Sequence, residues 1–246
     1  MKKFQKIRGM HQVDPNDSEI WSTIAKKIIQ IFESYSYKEI RLPIIESTDL
    51  FLRSVGEETD IVNKEMFTFE SKSGKSLSLR PEGTASCLRA SIEMGLTDMG
   101  PSRLFYHGPM YRYERPQKGR SREFYQLSVE AYGFDNINIE VEMIEMSFKI
   151  FSLLKLRNFG LEINSLGSDE TQKKFSKALK DYLYPLKLEL DEDSQNRLNS
   201  NVLRILDSKN STTQDILKNA PKISDFYDDE SVNRFDQLQS KLVEMK

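Results

Sequence analysis

Between residues 104 and 133 the chain carries two runs of alternating side chains separated by Arg115-Pro116-Gln117-Lys118-Gly119-Arg120-Ser121-Arg122. Such runs read as adjacent strands, 104–114 and 123–133, joined by a basic loop. Side chains alternate faces along a strand. One face of the second strand therefore carries Leu127, Val129 and Ala131, an apolar core face, and the other carries Phe124, Gln126, Ser128 and Glu130. On the first strand Arg112 shares a face with Glu114, and Tyr111 with Tyr113. The pair thus presents polar groups and one arene on a shared face. Phe124 to Glu130 spans about 20 Å at roughly 3.3 Å per residue, room for a nucleotide carrying a second small molecule. A guanidinium matches two phosphate oxygens, a flat arene matches a purine face, and a carboxylate matches an amine or an imidazole nitrogen. A solvated sheet face with a charged hairpin loop gives the same pattern.

Composition narrows the field. At about 150 residues per domain, 246 residues make one to two domains. With 38% hydrophobic and 30% charged residues the chain reads as globular rather than disordered. No apolar run approaches the roughly 18 residues of a bilayer span, and Met1-Lys2-Lys3-Phe4-Gln5-Lys6 has no apolar stretch behind its charges, so neither a membrane segment nor a secretory signal is expected. The single cysteine, Cys87, excludes an internal disulfide and a multi-cysteine metal site, and a reducing cytoplasm fits. Two histidines, His11 and His107, are too few for most zinc sites, and no metal ligands are assigned. The net charge is −2, yet residues 112–122 hold five cations against Glu114, a local net of +4, while the segment from 162 onward nets −3. That distribution suggests one local anionic ligand instead of a basic surface.

Periodicity places the remaining elements. Ile20, Trp21, Ile24, Ile28, Ile31, Phe32 and Tyr35 recur at helical spacing over 18–36, with Asp17 and Ser18 as caps. A strand over 38–42 stops at Pro43. Residues 66–70 and 76–80 alternate around Ser71-Lys72-Ser73-Gly74-Lys75 and predict a hairpin; Pro81 then opens a helix ending at Gly95. A helix over 139–156 and a short strand over 162–166 follow. After Gly167 the chain is charged, helical and free of glycine, with turns at Pro185, Asn210 and Pro221 and a last helix over 229–245. Two domains are expected, 1–167 and 168–246.

Tyr111-Arg112-Tyr113-Glu114, the basic loop and Phe124 resemble motif 2 of the class II aminoacyl-tRNA synthetases. The longer strings Glu114-Arg115-Pro116-Gln117-Lys118-Gly119-Arg120 and Phe124-Tyr125-Gln126-Leu127 resemble the histidyl-tRNA synthetase family. Ile7-Arg8-Gly9-Met10, Leu79-Arg80-Pro81-Glu82-Gly83-Thr84, Asn164-Ser165-Leu166-Gly167 and Leu203-Arg204-Ile205-Leu206-Asp207-Ser208-Lys209 extend the likeness, in order, over the whole chain. The resemblance implies an α+β fold, a class II synthetase-like antiparallel sheet flanked by helices, here incomplete and carrying a helical insertion. It also implies a cytoplasmic homodimer whose interface is built by motif 1, the helix at 18–36 and the strand ending at Pro43; a core helix and edge strand would give the same periodicity.

Carried over by position, Arg112 would be the catalytic cation, on the α-phosphate of ATP and the histidine carboxylate. Glu114 would accept from the adenine amino group, Phe124 would stack on the base and Arg120 would reach the γ-phosphate. Glu82, Gly83 and Thr84 would receive the α-amino group of L-histidine with Gln126, and Glu130 would contact the imidazole. Apart from the resemblance, Glu82 reads more simply as a first-turn acid on a helix dipole. Arg122 has no assigned role, and His107 and Cys87 read as structural. Mg2+ would accompany ATP, and tRNA(His) would be the acceptor. The 246 residues lack the family's Leu-Val-Arg-Gly-Leu-Asp-Tyr-Tyr segment, its motif 3 and its anticodon-binding domain. The expectation is therefore a fragment with about half an active site, weakly active alone, whose unpaired sheet edge is exposed. Two other functions compete: a synthetase-like regulatory subunit of ATP phosphoribosyltransferase, disfavoured by the intact Leu79–Thr84 and Arg115–Arg120 strings, and a non-catalytic RNA-binding or dimerisation module, for which the acidic C-terminal segment gives no support.

Overall fold

The computed structural model describes residues 4–55 and 65–244. The chain forms two compact units, Met1–Arg157 and Asn158–Lys246.

In the first unit, helix α1 is Pro15–Ser34. It starts three residues before the expected position, because Asp14 takes the cap, accepting from Asn16 N at 2.9 Å and Asp17 N at 3.3 Å. Pro15 then fills the first turn, where its missing N–H costs nothing. Strand β1 is only Lys38–Glu39 and runs parallel to β5, Ser102–Tyr111. The expected extension to Leu42 does not form, since the Leu42 and Pro43 carbonyls accept from the Arg80 guanidinium instead of joining the ladder. Strand β6, Glu123–Tyr132, pairs antiparallel with β5 over ten residues, from Ser102↔Tyr132 to Tyr111↔Glu123. The sheet order is β1-β5-β6.

Both faces of this sheet are covered. Phe105, Leu127 and Val129 pack with Ile28 and Phe32 of α1 and Met146 of α4, Ile137–Leu153. Each such side chain contributes on the order of 1.5–3 kcal/mol on burial. On the opposite face Leu104, Tyr106 and Met110 meet Cys87 and Ala90 of α3, Thr84–Glu93. Cys87 is fully buried and serves packing.

The hairpin appears as β3, Thr68–Glu70, and β4, Ser76–Leu79. Sequence periodicity missed its third strand, β2 (Ile45–Ser47), and helix α2 (Thr48–Val55). Both are short and half-polar; β2 pairs antiparallel with β4, and at the start of α2 Thr48 Oγ1 lies 3.0 Å from Ser78 Oγ, which lies 3.0 Å from Thr68 Oγ1. Helix α3 begins at Thr84, not Pro81, because the Glu82 carboxylate caps Thr84 N and Ala85 N and leaves 81–83 as a loop.

In the second unit, residues 162–166 are not a strand. They pair with no other strand among the described residues; Tyr227 OH donates to Ser165 O at 2.6 Å and to Asn164 Oδ1 at 3.2 Å. Without a neighbour to share backbone hydrogen bonds, an alternating sequence remains an extended segment. Helices α5 (Asp169–Leu183), α6 (Glu192–Ser200), α7 (Ser211–Leu217) and α8 (Asp229–Glu244) follow. Phe175, Leu179, Leu183, Leu198 and Ile205 form their core. Asp191 caps α6 and gathers the unit's polar interior, accepting from Ser194 N at 3.0 Å, Ser194 Oγ at 2.7 Å, Thr213 Oγ1 at 2.8 Å and Ser208 Oγ at 2.9 Å.

Burial opposes the Asp191 charge, but the donors on Ser194, Thr213 and Ser208 outweigh it and hold the carboxyl below the usual carboxylate range. A depressed folded-state pKa gives stability that is present above the unfolded value, about 3.9, and is lost as pH falls below it. Asp191→Ala is expected to cost about 1–2 kcal/mol at pH 7. In thermal melts the deficit relative to the parent should shrink below about pH 4; a deficit independent of pH would contradict the assignment.

Candidate active site

Register puts the site residues on one face. Opposite partners are Leu104↔Glu130, Tyr106↔Ser128, Gly108↔Gln126 and Met110↔Phe124, so Phe124, Gln126, Ser128 and Glu130 share a face with Tyr106 and the even-numbered residues of β5. Arg112 sits one residue past β5 and continues the ladder, its N–H donating to Arg122 O at 2.9 Å. Its Nε donates to Pro81 O at 2.9 Å, and its guanidinium carbon stands 5.1 Å from the Phe124 ring centroid. The cation is thus fixed between the loop before α3 and the arene of β6. Its two terminal nitrogens make no hydrogen bond to the described residues, leaving a planar pair of donors for an anion.

Glu114 follows on the same arm with its side chain only 14% exposed. Arg120 Nη1 approaches Glu114 Oε2 to 3.1 Å as an ion-pair contact without the angle of a hydrogen bond, so that oxygen is buried and accepts none. Arg120 itself is exposed, on a tight turn around Lys118 and Gly119, where Gln117 and Arg120 exchange backbone hydrogen bonds and Gly119 takes φ +78°. Glycine adopts that conformation without the penalty a Cβ brings.

A second cluster forms where α3 meets the sheet. Both Glu82 oxygens already accept a backbone N–H, Thr84 N at 2.5 Å and Ala85 N at 3.0 Å, so Glu82 does cap the helix. Thr84 Oγ1 donates to Glu130 Oε1 at 2.8 Å, and Tyr106 OH donates to the same oxygen at 3.1 Å. Glu130 Oε2 has no hydrogen-bond donor among the described residues. Burial pushes the Glu130 pKa up and the Glu82 charge adds to this, while the Thr84 and Tyr106 donors pull it down. Gly83 makes the arrangement possible: a Cβ there would lie 2.2 Å from Tyr106 Cε2. Gln126 Oε1 is buried with no hydrogen-bond partner among the described residues.

Tyr106 was not singled out from sequence. Its burial raises its own pKa to about 12, so it stays a donor. Its even-numbered position on β5 was the available signal, but only the register brings it beside Glu130. Arg80, also unassigned from the string Leu79–Thr84, is a buried structural clamp. His107 faces away from the site, with Nε2 3.5 Å from Glu39 Oε1.

The family model for histidyl-tRNA synthetase matches residues 9–170. A histidine–tRNA ligase of Francisella philomiragia is 52% identical over 239 residues, 96% of this chain and 56% of that protein. The chain belongs to the histidyl-tRNA synthetase family. The apo histidyl-tRNA synthetase of S. aureus shares the fold with a TM-score of 0.77 and 34% identity over 99% of this chain and 55% of that one. A Bacillus halodurans structure described as an ATP phosphoribosyltransferase regulatory subunit/histidyl-tRNA synthetase aligns at TM-score 0.64 and 20% identity, covering 99% of this chain and 66% of that one, a likeness of fold alone. The chain spans about half the length of the curated relatives it matches. Its family fold is the one observed, small largely antiparallel sheets flanked by helices. No described helix is long and apolar enough to cross a membrane.

The Gly83–Tyr106 contact generates a test. Gly83→Ala should cost about 1–3 kcal/mol by overpacking, and Tyr106→Ala in the same chain should recover at least about 1 kcal/mol of it. Strictly additive losses in urea unfolding would show that the two residues do not press on each other.

Proposed function

We propose that this chain supplies about half of the active site of a class II histidine–tRNA ligase, which activates L-histidine with ATP to histidyl-adenylate and pyrophosphate and then transfers the histidine to the 3′ end of tRNA(His). Residues 1–167 are read as the N-terminal part of the catalytic core with motifs 1 and 2, and 168–246 as the helical insertion. The observation that carries the reading is unused hydrogen-bonding capacity on one sheet face. Among the described residues Glu114 Oε2, in ion-pair contact with Arg120, and Gln126 Oε1 are buried without a hydrogen-bond donor, and the terminal nitrogens of Arg112 lack acceptors. Buried polar groups left unmet cost about 1–3 kcal/mol each, so a ligand with matching donors and an anionic centre would satisfy them together.

In this arrangement the adenine amino group donates to Glu114, Phe124 stacks on the base, and Arg120 swings to the γ-phosphate. Arg112 holds the α-phosphate and the amino-acid carboxylate. Glu82 receives the α-amino group through lone pairs left over from capping, together with Thr84 Oγ1 and Gln126 Oε1, alongside Gly83. Glu130 Oε2 accepts from an imidazole N–H while Thr84 and Tyr106 hold Oε1. A histidine carboxylate oxygen attacks the α-phosphorus in line; its new O–P bond forms as the bond to pyrophosphate breaks, and the electron pair leaves with pyrophosphate. No protein nucleophile is needed, so catalysis rests on orientation and charge neutralisation. The described residues hold no group of three or more His, Cys, Asp or Glu poised as metal ligands, and Mg2+ would take its oxygens from the ATP phosphates. A homodimer through α1 and β1 and a cytoplasmic location complete the reading.

Two measurements on the full-length protein test it. Arg112→Ala should lower histidine-dependent ATP–pyrophosphate exchange at least about a hundredfold, the scale of losing a preorganised charge partner; a few-fold loss would refute the role. Glu130→Ala should raise KM for histidine at least about tenfold and leave KM for ATP within about twofold. Equal effects on both substrates would remove Glu130 from the imidazole.

A further inference from the structure

The string Ile7-Arg8-Gly9-Met10 and the cation Arg122 have no part in the chemistry above, yet the fold brings them together against the basic loop. Gly9 O accepts from Arg122 N at 2.8 Å and from Glu123 N at 3.3 Å. Gly9 has φ +85°, and a Cβ there would lie 2.9 Å from both Arg122 Cγ and Pro116 Cγ. One loop residue thus fits against both ends of the 115–122 segment. The loop is closed on itself by Met10 N donating to Ile7 O at 3.0 Å.

From that anchor Arg122 reaches across the hairpin. Its guanidinium carbon lies 3.8 Å from the centroid of the Tyr113 ring, and its Nε donates to Glu114 O at 3.2 Å. The other side of the same strand arm is supported by Phe67, whose ring meets Tyr113 edge-on at 5.2 Å. Arg122 O accepts from Arg112 N. One residue therefore holds the backbone of both Arg112 and Glu114.

We propose that Ile7–Met10 is a latch that sets the basic loop, and that Arg122 is the positioning residue through which it fixes Arg112 and Glu114 for the nucleotide. This rests on the assignment of Arg112 and Glu114 to ATP. A guanidinium is needed because one planar group both stacks on Tyr113 and donates along its edge to Glu114 O, which a lysine ammonium does not reproduce. Glycine is needed at position 9 because both its backbone conformation and the Arg122 and Pro116 side chains exclude a Cβ.

The test is steady-state ATP–pyrophosphate exchange, without tRNA, on the full-length protein with Gly9→Ala, Arg122→Met, Arg122→Lys and, as reference, Arg112→Ala. Displacing reacting groups by about 1 Å costs up to about a hundredfold. Gly9→Ala and Arg122→Met are expected to raise KM for ATP about tenfold and KM for histidine by clearly less, because Arg112 meets both substrates whereas Glu114 meets ATP alone. Arg122→Lys should recover little of the loss. If Gly9→Ala does not fold, Arg122→Met carries the same test. Unchanged KM for ATP in Arg122→Met, equal rises for both substrates, or a defect confined to tRNA charging would each overturn the latch. Exchange that survives in Arg112→Ala would instead overturn the underlying site assignment, so the two failures are distinguishable.

Discussion

Arg80 is almost wholly buried, and its guanidinium donates to Pro109 O at 3.0 Å, Leu42 O at 3.1 Å and Pro43 O at 3.4 Å. Its own backbone extends the connection, with Arg80 N donating to Ile44 O and Tyr111 N donating to Arg80 O. Removing a charge from water is expensive, and burial does press the Arg80 pKa down. Carbonyl acceptors on two other segments offset that cost, and any neutral replacement would leave them unmet inside the protein. Gly108 yields the space, since a Cβ there would lie 2.6 Å from Arg80 Nη2. The small sheet β2-β4-β3 is thereby joined to the end of β5. This junction is what delivers the Pro81–Thr84 loop to the face that bears Arg112 and Glu130.

Around that junction the site divides its charges by geometry. Arg112 is anchored through Nε, so its remaining donors point away from the anchor. Glu130 is anchored through one oxygen, so the other is left to accept. Glu82 caps the first turn of α3, where the helix dipole favours a negative charge, and each of its oxygens keeps a further lone pair. Such anchoring fixes each group before a ligand arrives, which lowers the ordering cost of binding. The two-oxygen asymmetry at Glu130 depends on Tyr106, which depends on the missing side chain at Gly83.

Much of this was legible in the letters. Alternation over 104–114 and 123–133 placed Phe124, Gln126 and Glu130 on one face, because the period of a strand is fixed by covalent geometry. Leu127 and Val129 packed on the other side as the same rule requires. Helix α1 and the hairpin β3–β4 were readable from periodicity and turn residues. What could not be read were elements whose stability comes from distant partners. Strand β2 is held by its ladder with β4, and the start of helix α2 by hydroxyls of β4. The segment 162–166 has the alternation of a strand but pairs with no other described strand. Strand β1 stops at Glu39 because Arg80, some forty positions away in sequence, takes the carbonyls that a longer ladder would need.

The sequence by itself determined the family, the two regions of different character and the groups proposed to meet an anion, a purine and a cationic or imidazole nitrogen. The family follows from the likeness of its ordered motifs, the rest from local side-chain chemistry and short-range periodicity. Tertiary structure alone decided that Tyr106 shares an oxygen with Thr84 on Glu130, that Arg80 is a clamp, and that Gly9 closes on Arg122. These are contacts across 24 to 113 residues of chain, and no local rule of spacing encodes which side chain will occupy the gap that a glycine leaves.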